Sequence, residues 1–236
     1  MVNSSYFVSV MLSLRETSTP LSMTEFDFVR ISSLKNICLE DNVGGGTGMI
    51  CYEFKGGTGT ASRRCTINGE TFTTGVLVQA KFGSRYDLNI RGVPVGRHLT
   101  DNTTWNIPPY ANAQGSIIAL AITDAPLIPT QLQRIARRIG VGVARTGTPG
   151  ENGSGDIFLA MSTDNQVSDA RNAVNTKLRY LPNHELDPLF RATVEATEEA
   201  IINALVRAET MTGQGDHEVH AIDHQALQRL MKKYGH

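Results

Sequence analysis

The order of apolar and polar residues along the chain predicts a mixed fold of strands and helices. Short apolar runs bounded by glycine, proline or polar residues are typical of buried strands. They predict strands over 49–54, 75–80, 87–93, 117–122 and 157–161. The Asn68-Gly69 pair is the strongest short turn signal in the chain, and it predicts a hairpin within 63–74.

Other segments carry apolar residues three and four positions apart, the spacing of a helix with one buried face. One such helix is predicted after Pro129, a residue that suits the first helical turn. A long helix is predicted over 186–210, and a loosely patterned one over 24–39. Asp223 predicts the N-cap of a last helix.

Two glycine-rich stretches, 44–48 and 56–62, raise the question of a phosphate-binding loop. Neither ends in the Lys-Ser/Thr pair of a P-loop, and the first leads into a strand-like segment instead of a helix. Tight turns, at which the backbone passes close to another segment, are the preferred interpretation of both. A nucleotide- or phosphate-binding module therefore ranks third among the functional hypotheses.

Candidate chemistry lies at the start of two predicted strands. Ser116 follows Gly115 directly before the strand at 117–122, and Ser154 and Asp156 precede the strand at 157–161. A serine in this position can attack the peptide bond before it. The new amino terminus, with an ordinary pKa of about 7.7–8, would then be a base for the hydroxyl. From the residues alone, an ordinary turn is the preferred interpretation of Gly115 and Ser116, and satisfaction of turn backbone is the preferred interpretation of Ser154 and Asp156.

The motifs around these residues resemble the self-processing aminopeptidases of the DmpA/BapA type, which are L-aminopeptidase D-esterases and β-peptidyl aminopeptidases. The resemblance runs in order from Asn42 to the end of the chain. It rests on motifs at 42–52, 55–62, 75–80, 115–118, 123–127, 137–138, 144–147, 152–158 and 195–200. It implies an α/β (α+β) fold, a layered α/β/β/α sandwich, and an oligomer.

The same resemblance implies the function and its residues. The chain would cleave itself between Gly115 and Ser116, and Ser116 would become the nucleophile, assisted by Ser154 and Asp156. Substrates would be short peptides, amides or esters with a free amino end. Neither a metal nor an organic cofactor would be needed.

Two departures from the family pattern motivate a second hypothesis. Lys81 stands where the family carries an asparagine that helps to form the oxyanion hole, and a lysine is a flexible point charge, not a fixed amide dipole. Family members also carry a long segment before the glycine-rich motif, and residues 1–41 do not match it. The alternative is therefore a degenerate or split family member, lacking part of the N-terminal portion, that keeps the fold without catalysis.

The resemblance divides the chain into parts. Residues 23–115 correspond to the α-chain and 116–236 to the β-chain, with 23–236 forming one domain. Residues 1–22 are expected to be poorly ordered because they are rich in serine and threonine. The 94–114 connection, rich in proline, asparagine and threonine, leads to the expected cleavage point.

Composition and charge bear on which partners, location and metal sites the chain is expected to have. With 236 residues, 40% of them hydrophobic, the chain can bury a sizeable core. A net charge of −1 argues against nucleic acid or an anionic membrane as a partner. No apolar run approaches the length of a membrane span. The three cysteines fit free thiols in a reducing compartment, so the cytoplasm is the expected location. His217, His220 and His224 lack the spacing of a common zinc motif, and a solvated turn is preferred there.

Overall fold

The computed structural model describes residues 40–102, 115–165 and 177–236. The strands are, in chain order, β1 (Ile50–Cys51), β2 (Phe54–Lys55), β3 (Thr58–Ile67), β4 (Glu70–Lys81), β5 (Ser116–Thr123), β6 (Ile157–Ser162), β7 (Met211–Thr212) and β8 (Glu218–Val219). The helices are α1 (Val95–His98), α2 (Pro129–Arg145), α3 (Asp187–Val206) and α4 (His224–Lys233). Short 3-10 turns lie at Gly44–Gly46, Arg85–Asp87, Asn183–Glu185 and Gln214–Asp216.

A four-stranded sheet in the order β3-β4-β5-β6 is the centre of the fold. β3 and β4 form the predicted hairpin, in which Asn68 and Gly69 both have positive φ, 50° and 82°. β5 runs antiparallel to β4 and parallel to β6. A parallel pair needs a long connection, and α2 supplies it between β5 and β6.

The two helices α2 and α3 cover one face of this sheet. The core cluster contains alternate residues of β4 and β5 together with residues of both helices. These are Val76, Val78, Ile117, Ala119, Ala121, Ile135, Ile139, Ala196, Ala200 and Ala204. The period of two along each strand places them all on the helix side of the sheet.

Small residues let α3 lie close to the sheet. Ala196, Ala200 and Ala204 of α3 are fully buried, and β3 faces them with Gly59. A Cβ at Gly59 would lie 2.0 Å from the carbonyl oxygen of Ala200. The same device brings α2 and α3 together, because a Cβ at Gly142 would lie 2.7 Å from the carbonyl oxygen of Val194.

Most predicted elements are confirmed, including the strands at 75–80, 117–122 and 157–161. The helix at Pro129 is confirmed as well, and Asp223 caps α4 by accepting from the backbone N–H groups of Gln225 and Ala226. The long helix ends at Val206 and not at 210. The helix expected over 24–39, the segment 1–22, Cys38 and most of the connection before Gly115 lie outside the described residues.

Three local predictions were wrong. The strand expected over 49–54 is two short strands around a turn at Tyr52 and Glu53, which have φ values of 51° and 59°. The segment 87–93, expected to be a strand, is the end of a 3-10 turn followed by a single bridge between Ile90 and Val93. The alternation of apolar and polar residues in its sequence is that of this compact turn. The segment 56–62, expected to be a turn, contains the first part of β3. Its small residues allow close packing against other segments and do not mark a turn.

Gly59→Ala is expected to destabilise the fold by about 3 kcal/mol or more, because its methyl group would meet backbone and not a movable side chain. Gly48→Ala is the matched control, because nothing lies within 4 Å of a Cβ there, and it should cost less than about 1 kcal/mol. Urea unfolding of the two variants measures the difference. Equal stabilities would contradict the close contact between β3 and α3.

Candidate active site

Ser116 is the first residue of β5, and the chain enters the strand through a confined glycine. Ser116 is partly exposed and lies directly opposite Lys81 of β4. A Cβ at Gly115 would lie 2.1 Å from the carbonyl oxygen of Lys81 and 2.9 Å from the Cα of Phe82. Only glycine therefore lets the backbone pass the end of β4 and present Ser116 at this point.

The loop before β6 approaches Ser116 with both predicted partners. The backbone N–H of Gly155, between Ser154 and Asp156, donates to Oγ of Ser116 at 2.9 Å. Asp156 Oδ1 accepts from the backbone N–H of Ile117 at 3.1 Å and also from the hydroxyl of Ser154. The structure thus brings Ser116, Ser154 and Asp156 together at the parallel edge of β5 and β6.

Lys81 lies on the other side of Ser116. Residues directly opposite in an antiparallel pair have Cβ atoms roughly 4.5–5.5 Å apart and project from the same face of the sheet. Lys81 and Ser116 are such a pair, and Lys81 is partly buried. A lysine ammonium here has the reach and the charge to approach an oxygen that forms beside Ser116.

A buried tyrosine that the sequence did not reveal holds the start of the 146–156 loop. Tyr52 is fully buried, and its hydroxyl pairs with Oγ1 of Thr146 at 2.7 Å and accepts from the N–H of Thr148 at 3.1 Å. Burial raises the pKa of Tyr52 far above its ordinary value, so the phenol stays neutral. Glu151 continues the loop, because its carboxylate accepts from the hydroxyl of Thr148 and its carbonyl accepts from the N–H of Ser154.

A buried lysine holds the first glycine-rich stretch. Lys55 is 2% exposed, and Nζ donates to the carbonyls of Gly46, Met49 and Gly56 at 3.1, 2.8 and 2.6 Å. Burial lowers the pKa of Lys55 to about 8. Because the three N–H donors of Lys55 are all bonded to backbone carbonyls, none is left for a phosphate. Residues 44–48 therefore form a tight turn packed against other backbone, as predicted.

This stretch also contacts the sheet near the site. Gln79, two residues before Lys81 and on the same side of β4, is 5% exposed, and its Nε2 donates to the hydroxyl of Thr58. A Cβ at Gly45 would lie 2.8 Å from Oε1 of Gln79. The 3-10 turn at Gly44–Gly46 therefore rests on the sheet beside the Lys81–Ser116 pair.

With the geometry described, comparison with known proteins identifies the family. Residues 29–219 match the model of Peptidase family S58. The chain belongs to this family. Beta-peptidyl aminopeptidase BapA of Sphingosinicella microcystinivorans is 43% identical over 205 residues, which are 83% of this chain and 52% of that protein.

Solved structures agree with this membership of family S58. The L-aminopeptidase D-Ala-esterase/amidase of Ochrobactrum anthropi, described as a variant of the Ntn hydrolase fold, is 46% identical with a TM-score of 0.77. A beta-aminopeptidase of Burkholderia sp. is 40% identical with a TM-score of 0.72. They cover 86% and 84% of this chain and 55% and 54% of their own. The fold is thus that of the Ntn hydrolases of DmpA type, and the chain spans about half the length of its relatives.

Neither the histidines considered as metal ligands nor the surface depression belongs to the arrangement around Ser116. His224 donates to the carbonyl of Val206 and His220 pairs with Glu218, and the described residues contain no cluster of three metal-binding side chains. No helix in the described ranges is long and apolar enough to cross a membrane. A shallow depression of about 280 Å³ lies at the far end of β3, where Arg63 is engaged with Glu195, and it does not include Ser116.

Lys55→Met is expected to lower the free energy of unfolding by about 1–3 kcal/mol at neutral pH, because three buried carbonyls lose their donor. The folded protein releases the Lys55 proton near pH 8, whereas the unfolded chain holds it to about 10.5. Between these values the unfolded state binds more protons. The stability of the parent protein relative to Lys55→Met should therefore rise with pH.

Urea unfolding of both proteins across this pH window measures the change. The difference between the two proteins cancels the titration of groups that they share. A difference that stays flat or falls with pH would contradict a buried, hydrogen-bonded Lys55.

Proposed function

We propose that this chain is an autoproteolytic N-terminal serine nucleophile hydrolase that cleaves itself between Gly115 and Ser116. One observation carries the proposal. Oγ of Ser116, beside the last peptide bond before β5, accepts from the Gly155 N–H, in the loop that also holds the Ser154–Asp156 pair. Membership of family S58 supports the same reading.

Self-cleavage begins with attack of Ser116 Oγ on the carbonyl carbon of Gly115. The hydroxyl proton leaves to a base, and the C–N bond breaks as the nitrogen of Ser116 takes up a proton. An ester then joins Gly115 to Oγ of Ser116. Water hydrolyses this ester, which gives a carboxylate on Gly115 and frees both the hydroxyl and the amine of Ser116.

The released amine then acts as the base for substrate hydrolysis. With an ordinary pKa of about 7.7–8, it accepts the proton of the Ser116 hydroxyl as that oxygen attacks the substrate carbonyl. Asp156 orients this unit, because its carboxylate accepts from the N–H of Ile117 and from Ser154. Ser154, whose hydroxyl donates to Asp156, completes the proton path.

Lys81 supplies positive charge to the oxyanion in place of the family asparagine. Its place opposite Ser116 supports this role. A charged group near a developing oxyanion stabilises the transition state more than the ground state, and this difference is what raises the rate.

The substrates are short peptides, amides or esters with a free amino end, as the names of the relatives suggest. A cytoplasmic location fits the free thiols of Cys51 and Cys65. A homo-oligomer is the assembly that the family resemblance favours. The glycine-rich module for nucleotides is not favoured, since the donors of Lys55 are occupied.

Ser116→Ala is expected to leave the chain intact and to lower aminopeptidase activity by more than about 10³, because the attacking oxygen is removed. Ser116→Cys keeps a nucleophile and should retain measurable self-cleavage. Intact mass measurement over prolonged incubation detects the two fragments. A parent chain that never breaks would overturn self-processing. A parent that also fails to hydrolyse β-alanyl and L-alanyl p-nitroanilides would establish the degenerate alternative.

Lys81→Met is expected to lower kcat by about 10²–10³ with little change in KM, because a charge is lost that acts mainly on the oxyanion. Lys81→Asn restores the family donor and should match or exceed the parent. Steady-state kinetics with L-alanyl p-nitroanilide distinguishes the two variants. Equal rates for Lys81→Met and the parent would remove Lys81 from the oxyanion site.

A further inference from the structure

Two polar side chains near Ser116 have no partner within the part of the chain that the structure describes. Gln79 and Lys81 lie two residues apart on β4, so both project from the face of the sheet away from α2 and α3. Oε1 of Gln79 is buried and accepts no hydrogen bond. The ammonium group of Lys81 has no hydrogen-bond or ion-pair acceptor within residues 40–102, 115–165 and 177–236. An acceptor and a donor without partners thus occupy neighbouring positions.

The amide of Gln79 is held in place from two sides. Its Nε2 donates to the hydroxyl of Thr58, which lies directly opposite on β3, and the residue is only 5% exposed. The 3-10 turn at Gly44–Gly46 rests on its other side, and Lys55 anchors that turn through the carbonyl of Gly46. Oε1 is therefore a fixed acceptor, whereas the ammonium of Lys81 ends a flexible stem.

Gly45 leaves room over this amide. A Cβ at Gly45 would lie 2.8, 3.0 and 3.2 Å from Oε1, Cδ and Nε2 of Gln79, and these are the three atoms nearest to that point. A side chain at position 45 would therefore displace the amide. Because the residue is glycine, Oε1 keeps its place and the space beside it stays open at the distance of a hydrogen-bond donor.

The stem of Lys81 is long enough to bring its ammonium to this oxygen. Residues two apart on a strand are separated by about 6.6 Å, and a lysine carries its charge at the end of four methylene groups. The contact would satisfy Oε1 of Gln79, whose burial is otherwise uncompensated. It would also restrict a side chain that lies directly opposite Ser116.

We propose that Gln79 positions the Lys81 ammonium beside Ser116 by accepting a hydrogen bond from Nζ at its Oε1. This inference rests on the oxyanion role proposed for Lys81. A neutral acceptor suits the task, because it confines the ammonium without cancelling its charge. A carboxylate in the same place would compete with the oxyanion for that charge. Gln79 is thus a positioning residue that acts through Lys81.

The contact is tested without catalysis, in the Ser116→Ala background. Trace acetylation followed by peptide mass spectrometry compares the labelling rate of Lys81 with that of the exposed Lys232 in the same sample. Gln79→Met removes the acceptor and should raise the relative rate of Lys81 at least about threefold, because a hydrogen bond to a charged group is lost. Gln79→Glu should lower the rate. Lys55 should stay protected throughout, which shows that the turn at Gly44–Gly46 is intact.

Two further variants separate positioning from a loss of packing. Gly45→Ala leaves Gln79 unchanged but pushes its amide aside, so it should raise the Lys81 rate as Gln79→Met does. Gln131→Met removes another buried glutamine, which is 2% exposed on α2 and donates to the carbonyl of Leu181. It is the matched control and should leave the Lys81 rate unchanged.

Steady-state kinetics with L-alanyl p-nitroanilide tests the consequence in the chain that retains Ser116. Gln79→Met should lower kcat about tenfold with little change in KM, a smaller loss than that of Lys81→Met. In the Lys81→Met background the same change should have no further effect on kcat, because no ammonium is left to position.

The opposite shifts of the two Gln79 variants decide the proposal, since a loosened structure cannot lower a labelling rate. Lys81 rates that do not move in opposite directions in Gln79→Met and Gln79→Glu would overturn the contact and leave Oε1 to a water molecule. A Gln131→Met variant that raises the Lys81 rate equally would overturn it as well. Opposite shifts in labelling with additive effects on kcat would keep the contact and reject the oxyanion role of Lys81.

Discussion

The register of β5 between β4 and β6 is the constraint on which the rest of the site depends. It places Ser116 opposite Lys81 on the face of the sheet away from α2 and α3, while Ile117 is buried under the helices. A shift by one residue would reverse every side chain of β5. The helix side excludes that shift, because it accommodates alanines at 119 and 121 and would be overpacked by the isoleucine and leucine between them. The hydrophobic core thus sets the orientation of the candidate nucleophile.

Elements whose sequence signal lies within a few neighbouring residues were predictable from the sequence. The hairpin at Asn68, the strands on either side of the site and the cap at Asp223 each depend on local patterns. Contacts between distant segments were not predictable. The pattern around Gly59 predicts a turn, because nothing nearby in the sequence shows that Ala200 will lie against it. Tyr52 gave no signal for the same reason, since its partners Thr146 and Thr148 lie 94 and 96 residues further along the chain. Lys55 gave none although its carbonyl partners lie within nine residues, because no local pattern shows that the chain folds back over its ammonium group.

Those two buried polar residues explain how irregular segments hold a defined geometry beside the sheet. A buried phenol or ammonium is costly without partners, so each loop conformation that satisfies it is favoured over those that do not. Tyr52 fixes the start of the loop that ends at Asp156, and Lys55 fixes the turn that rests on Gln79. Tyr52 thereby anchors the loop that reaches Ser116, and Lys55 anchors the turn beside the Lys81–Ser116 pair. Both irregular segments are held by the protein interior. The first glycine-rich stretch needs glycine because its backbone passes close to other backbone, and a Cβ at Gly46 would lie 2.0 Å from the carbonyl oxygen of Asp41.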